Sequence, residues 1–491
     1  MNESLPTNWI EVALADLIPT DGLMSDGDWI ESKDQDPDGE IRLIQLADIG
    51  DGRFRDKSAR FLTRAKSVEL GCTYLKRGDI LIARMPDPLG RACIFPLEGE
   101  EKFVTVVDVC VIRVSESTVS HKFLAYLINF AAIRQQIEEF ESGTTRKRIS
   151  GKNLARIRLP LPPLNEQRRI VAKIEELFSE LDKGIENLKQ ARAQLAVYRQ
   201  ALLKHAFEGR LTANWRQTHA AQLGSTETEH IDGLPKIPDE WAWQRLGNIS
   251  AVSGGLTKNP KRESLPERMK YLRVANVHAD RLDLDDVREI GVTQAEAERL
   301  VLEKGDLLVV EGNGGIDQIG RVAEWTSSIP KCGHQNHLIR VRLQPSVSPR
   351  YALRFLQSPL GRDAIVKEAS STSGLHTLSI SKVGNLKIPV TSTCEQEALL
   401  ELIEPAFDNI GALESDIDTN LQKAEALRQS ILKKAFAGEL VPQDPNDEPA
   451  AALLARLRAE REASHPKGLK ARPVKAQAEG LGKRAQKNVE P

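Results

Sequence analysis

The residue types that do chemistry are all present in this chain, but their spacing fails most of the reactions they could serve. RKRISGKN (146–153) comes nearest to a phosphate-cradling P-loop, which needs a leading Gly and a closing Gly-Lys-Ser/Thr. Arg146 stands where that Gly belongs and Asn153 replaces the hydroxyl residue. VVEGNGGIDQIG (309–320) is glycine-rich without the GxGxxG spacing, and reads as a turn between two strands. The most metal-like cluster is Cys332, His334 and His337. No fourth ligand of suitable spacing lies near it, so no metal is expected. Carboxylate pairs abound on helical faces, where they are ordinarily solvated i,i+4 partners. No catalytic residue is expected.

Cations and amides offer a different chemistry, contact with a polyanion. Ser142 to Asn165 holds Arg146, Lys147, Arg148, Lys152, Arg156 and Arg158 with no acidic residue, and neutralising phosphates needs Lys and Arg presented together. The corresponding stretch of the later half, SSTSGLHTLSISK (370–382), keeps only His376 and Lys382. Base edges in a major groove are read by Arg on guanine and by Asn or Gln on adenine. Candidates are Arg84 and Arg91, flanking the MPDPLG turn, with Asn313 and Gln318 in the turn that matches it. The plainer reading of each is turn capping or solvated surface charge.

These candidates correspond because the chain is written twice. LLKHAFEGRLT (202–212) returns as ILKKAFAGELV (431–441), and Glu166-Gln167 as Glu395-Gln396. LKRGDILIA (75–83) matches LEKGDLLVV (302–310), CVIRV (110–114) matches HLIRV (337–341), and Trp9 matches Trp241. By that alignment His337 falls opposite Cys110. Collinear matches of this kind are the signature of duplication.

Each copy divides into two unlike parts. About 160 residues of short β-branched runs broken by Gly, Pro and Asp predict strands mixed with a few helices. A Pro-rich exit then opens one long helix. Ile174, Leu177, Leu181, Leu188, Leu195 and Leu202 fall on an a/d stripe, with Gly184, Ala191 and Tyr198 between them. Ile403, Ile410, Leu413, Ile417, Leu427 and Ile431 make the second stripe. Apolar residues held at 3.5 spacing over several heptads predict a coiled coil, and Gly209 and Gly438 are natural stops. A helix of 43 residues is a rod of roughly 65 Å. The fold class expected is α+β: two mixed heads joined by two long antiparallel coiled-coil helices, with internal pseudo-twofold duplication.

The boundaries follow: a first head over 1–164, a helix over 165–208, a linker over 209–236, a second head over 237–393, a helix over 394–437 and a tail over 438–491. From Arg456 to Pro491 the tail carries ten Lys and Arg against four Glu. It is expected to form a short helix over 448–463 and then disorder. The whole chain has 68 Lys and Arg against 70 Asp and Glu, which excludes a globally basic binder but not a local basic face. No apolar run reaches the roughly 20 residues of a membrane span, and MNESLPTNWIEV lacks a signal peptide's pattern. A cytoplasmic protein without disulfides is expected from its five scattered cysteines.

The two heads, the repeated Glu-Gln helices and the endings HAFEGRLT and KAFAGELV resemble the DNA-specificity subunit of Type I restriction–modification enzymes. The tail EPAAALLARLRAEREAS (448–464) is similar to that of enteric members. The resemblance implies that each head recognises one half of a bipartite, asymmetric duplex DNA site. It implies that the helices fix the gap and dock two methyltransferase subunits, and that motor/nuclease subunits complete the complex. S-adenosylmethionine, ATP and magnesium would then sit on those partners, with no cofactor on this chain. An adenine methyltransferase of that system carries Asn-Pro-Pro-aromatic; here the nearest string, NPKR (259–262), has Lys261 and Arg262 in the last two places. The rival reading is a coiled-coil scaffold whose heads bind proteins.

Overall fold

Strand alternation and turn residues build three corresponding sheets in each head, and the second adds the short hairpin Val277–His278 with Arg281–Leu282. The computed structural model describes residues 5–86, 88–143, 147–219, 233–312, 315, 318–369 and 377–464. The chain divides into two units, Met1–Ile185 with Leu421–Pro491, and Glu186–Asn420. In the first unit an antiparallel four-stranded sheet runs Leu23–Asp26, Val109–Arg113, Ile80–Ala83 and Ala92–Ile94 in spatial order. In the second the order is Ser250–Gly254, Leu338–Leu343, Leu307–Val310 and Val322–Glu324. A three-stranded sheet accompanies each, and a two-stranded ribbon joins the start of the head to its end, pairing Ile10 with Leu161 in one and Ala242 with Val390 in the other. Among the described residues no helix is long and apolar enough to cross a membrane.

The sheet registers correct one detail of the repeat. Ile80 faces Ile112, and Leu307 faces Val341. The equivalent of Arg113 is therefore Arg342, not Arg340 of the second IRV string. Each grips the buried Asp of its KGD or RGD turn with two bonds of 2.7 Å, Arg113 on Asp79 and Arg342 on Asp306. The ion pair rather than the string similarity sets the match, and His337 corresponds to Asp108, not to Cys110.

Two helices of 44 residues, Leu164–Phe207 and Thr393–Phe436, carry the long apolar stripes. Pro405 lies inside the second. In the second unit the pairs Arg192–Asp418 and Arg199–Glu414 run in opposite senses along the two helices, so the helices are antiparallel there. In the first unit Arg428 reaches Asp182 and lies over the Phe178 ring at 4.4 Å.

The seam is shifted from the expected stripe at two positions. Leu413 and Leu427 are 50% and 51% exposed, whereas Ile403, Phe407, Ile410, Ile417, Ala424 and Ile431 are buried. The equivalent line on the first helix is Ile174, Phe178, Leu181, Ile185, Leu188, Arg192, Leu195, Arg199 and Leu202, buried or half-buried throughout. Gly184 and Tyr198 lie outside it, exposed. Arginines hold seam positions by laying their stems on apolar surface and sending the guanidinium to a carboxylate at the edge. That polar content hid the phase of the heptad.

Each helix ends in a Schellman turn. Arg210 N donates to His205 O at 3.0 Å and Gly209 N to Ala206 O at 3.0 Å; Glu439 and Gly438 repeat this on Lys434 and Ala435. Gly209 and Gly438 have φ of 69° and 79°, which a glycine adopts without strain. The preceding phenylalanines are core residues. Phe207 packs on Tyr351 and Phe355 at 5.2 Å, and Phe436 on Phe123 and Phe130 at 5.6 and 5.4 Å.

The Glu-Gln pairs open the helices and tie each head together. Trp9 Nε1 donates to Glu166 at 3.1 Å, and Trp241 Nε1 to Glu395 at 2.9 Å. Gln167 accepts Ser120 N and Gln396 accepts Ser348 N, at 2.9 and 2.8 Å. The segment after each long helix completes the clasp: Gln443 donates to Glu166, while Thr212 and Arg216 donate to Glu395. Burial pushes the Glu166 carboxyl up, against the pull of the Trp9 and Gln443 donors. The tail helix Ala450–Ser464 also closes its own unit, with Ala450, Leu454 and Leu457 in the core beside Leu14 and Leu17. The tail beyond Ser464 lies outside the described residues.

Two stability measurements test this architecture. Glu395→Ala strands the Arg216 guanidinium and three other donors, so unfolding should lose roughly 3–5 kcal/mol. Glu176→Ala, which breaks an exposed pair with Lys173, should cost less than about 1 kcal/mol. His334 is buried with Nδ1 on Leu338 O at 2.9 Å. Burial, which disfavours its charged form, lowers its pKa to about 4. Because the folded value lies below the unfolded one near 6.5, stability is full above pH 6.5. It should fall by about 3 kcal/mol as pH drops toward 4. Urea unfolding of His334→Gln across that window should lack this component of the slope.

Candidate nucleic-acid interface

In the first unit the strand Ile80–Ala83 runs out at Arg84 and returns through Arg91 into Ala92–Ile94. Gly90, at φ 76°, allows the turn to close; a Cβ there would meet Ile137 Cδ1 at 2.8 Å. The equivalent Gly320, at φ 64°, sits as close to Ile365. The turn is fastened to the basic loop, since Ile149 N donates to Arg84 O at 3.1 Å. In the second unit Leu378 N donates to Glu311 O at 2.7 Å, and Gly312 pairs with Thr377. The two candidate loops of each head thus stand side by side at the same end of the same sheet.

The candidate side chains divide into two groups. Arg84 and Arg91 are 7% and 6% exposed, and the structure uses both as internal braces. Arg84 donates to Ile149 O and Val107 O at 2.9 and 2.8 Å and pairs with Asp26 at 2.8 Å. Arg91 donates to the carbonyls of Ile49, Leu46 and Pro88 at 2.8–3.0 Å. Turned inward onto these acceptors, Arg84 and Arg91 brace the turn. Burial raises the Asp26 carboxyl, and Arg84 opposes this.

The other described candidates face solvent. Lys147, Arg148 and Lys152 are exposed. Lys147 pairs with Glu141 at 2.7 Å, and Arg148 is held by a backbone bridge to Ser142. Lys152 rides on the helical turn Gly151–Leu154, capped by Ser150 on Asn153 N. The second unit repeats that cap, with Ser379 on Lys382 N. Lys382 Nζ donates to Thr377 O at 3.0 Å. Gln318 is exposed, its backbone turned on Gly315 O at 3.0 Å. Arg146, Asn313 and His376 lie outside the described residues.

Nothing in this arrangement pairs a nucleophile with a base. Among the described residues no group of three or more His, Cys, Asp and Glu stands together as a metal site. His334 spends Nδ1 on a carbonyl, and His337 pairs with Glu311 at 2.8 Å. Burial pushes the Cys332 thiol up to about 12. Exposed cations and amides on twin turns can hold a polyanion and probe its edges.

Comparison with known proteins agrees with this geometry. Residues 6–190 match the family model described as the Type I restriction modification DNA specificity domain. The Type I restriction enzyme EcoKI specificity subunit of Escherichia coli K12 is 29% identical over 443 residues, covering 87% of this chain and 90% of that protein. The StySPI specificity subunit of Salmonella potsdam is 27% identical over 71% of this chain and 73% of its own. A solved chain from a study of complex assembly and conformational transition of the type I R-M system superimposes with a TM-score of 0.66. It covers 89% of this chain and 100% of that one at 19% identity, so it bears on the fold. Residues 6–190 thus match the Type I DNA specificity domain, and over most of its length the chain is a homologue of Type I restriction enzyme specificity subunits, enteric ones among them.

Proposed function

We propose that this chain selects DNA for a methylating and restricting complex while performing no chemistry itself. Each head reads one half of a bipartite, asymmetric duplex site, and the helix pair sets the gap. Two methyltransferase subunits dock on the chain and motor/nuclease subunits join them; S-adenosylmethionine, ATP and magnesium belong to those partners. The observation that carries this reading is the duplicated loop pair: equivalent turns, fastened to equivalent capped segments on equivalent sheets. A pseudo-symmetric pair of readers suits two half-sites on one duplex, and the differing loop residues suit two unlike half-sites. Lys147, Arg148 and Lys152 serve as phosphate contacts of the first head, and Gln318 and Lys382 act in the second. Arg146, Asn313 and His376 remain candidates from their sequence positions.

Co-expression with the partner methyltransferase, followed by mapping of N6-methyladenine, should return one two-part motif with a fixed gap. Loss of the motif with the complex intact would favour protein-binding heads. Adding seven residues to each long helix should lengthen the gap and leave both half-site sequences alone. Arg148→Ala with Lys152→Ala should weaken all duplexes alike and flatten the salt dependence by up to about 1.8 in log–log slope, at about 0.9 per phosphate. Arg91→Met should instead lower the melting temperature.

A further inference from the structure

Four arginines of the second unit, Arg199, Arg273, Arg321 and Arg340, have a buried Nε without a hydrogen-bond partner. Such an atom in a native protein asks for an explanation, and two of the four, Arg199 and Arg321, stand together. Both residues line one cavity of about 530 Å³, with Arg281, Arg350, Arg354, Phe407 and Gly411 among its walls.

The first unit shows what this cavity would be if it were only structural. Arg321 is the counterpart of Arg91, since Val310 N and Ala83 N each donate to that arginine's carbonyl at 2.9 Å. Arg91 is saturated with backbone acceptors, whereas Arg321 has none for its Nε. Gly411 is the counterpart of Asp182, which pairs with Arg428 in the first unit. In the second, a Cβ at Gly411 would meet nothing within 4 Å, and Arg199 turns to Glu414 at 2.9 Å. Tyr126, which packs on Phe178, is replaced by Arg354 over Phe407 at 3.7 Å. The substitutions open space, move the carboxylate from the place of Gly411 to Glu414, and add the cation of Arg354.

The charge is only partly matched. Arg350 and Arg354 close a quartet with Asp280 and Glu404 at 2.6–2.9 Å. Arg281 and Arg321 have no carboxylate partner among the described residues, and Asp408 is the remaining acid of the wall. Arginine forks suit phosphate oxygens in number and geometry. We propose that this cavity is an anion site for a di- or triphosphate group, held by Arg199, Arg281 and Arg321. The group comes either from a free polyphosphate or from a nucleic-acid backbone. Because Arg321 directly follows the turn that carries Gln318, an occupant here would stiffen the second head's turn.

Titration calorimetry of the full chain with inorganic triphosphate at low salt tests the assignment. Wild type should bind, and Arg321→Gln and Gly411→Asp should each weaken binding tenfold or more. Gly411→Asp installs the first unit's carboxylate beside Arg199. Lys173→Gln, on the exposed face of the first helix, should change nothing. Duplex DNA that displaces triphosphate, with Arg321→Gln weakening both, identifies the backbone as the source. Simultaneous binding of the two identifies a free polyphosphate. No binding at millimolar triphosphate overturns the site, as does binding that either variant, folded by circular dichroism, leaves within twofold.

Discussion

Two buried carboxylates organise this molecule. Glu166 and Glu395 sit in the first turns of the long helices, beneath the indole N–H of Trp9 and Trp241. A charge in the interior is stable only when donors surround it. For Glu395 the donors come from three places in the chain: the start of the head, the residue pair just before its helix and the segment that follows the other long helix. Glu395 takes bonds from Trp241, Thr212, Arg216 and Thr391. One buried carboxylate thereby fixes where a head begins, where its helix begins and where the returning chain must lie. The neighbouring Gln167 and Gln396 fix a fourth point, the start of the helix at Ser120 or Ser348.

With the clasp in place, the sheets can differ without changing the architecture. The Asp79–Arg113 and Asp306–Arg342 forks align the long strands of each head. The turns at their ends are then free to vary in sequence. Arg84 and Arg91 build the first turn from inside, whereas the second turn carries Glu311 paired with His337. The two heads therefore share one design and differ in the side chains at their turns. Lys147, Arg148 and Lys152 stand exposed on or beside the first capped segment, and the half-buried Lys382 lies on the second.

The seam between the long helices obeys the same economy. Arg199 and Arg428 occupy equivalent positions and lie over equivalent rings, Phe407 and Phe178. Their carboxylate partners do not match: Glu414 serves one and Asp182 the other. On this shared helical frame the charges are relocated, and a cavity lies beside the relocated pair in the second unit.

Duplication, the long helices and their glycine stops were legible in the sequence because they rest on local periodicity and on repeated strings. The Glu-Gln and Trp repeats were visible as well, but their partnership spans about 150 residues and no spacing rule reveals it. Leu413 and Leu427 looked like seam residues because a heptad is ambiguous wherever arginine takes an apolar position; only the facing helix settles the phase. The charge and hydrogen-bonding capacity of Arg84 and Arg91 followed from their type. Whether those donors face a base or a carbonyl depends on chain brought in from Leu46–Ile49, Val107 and Ile149. Sequence alone determined the two-fold plan and the kinds of contact available. The tertiary structure decided which arginines are spent inside and which remain outward, because acceptors distant in the chain compete for the same donors.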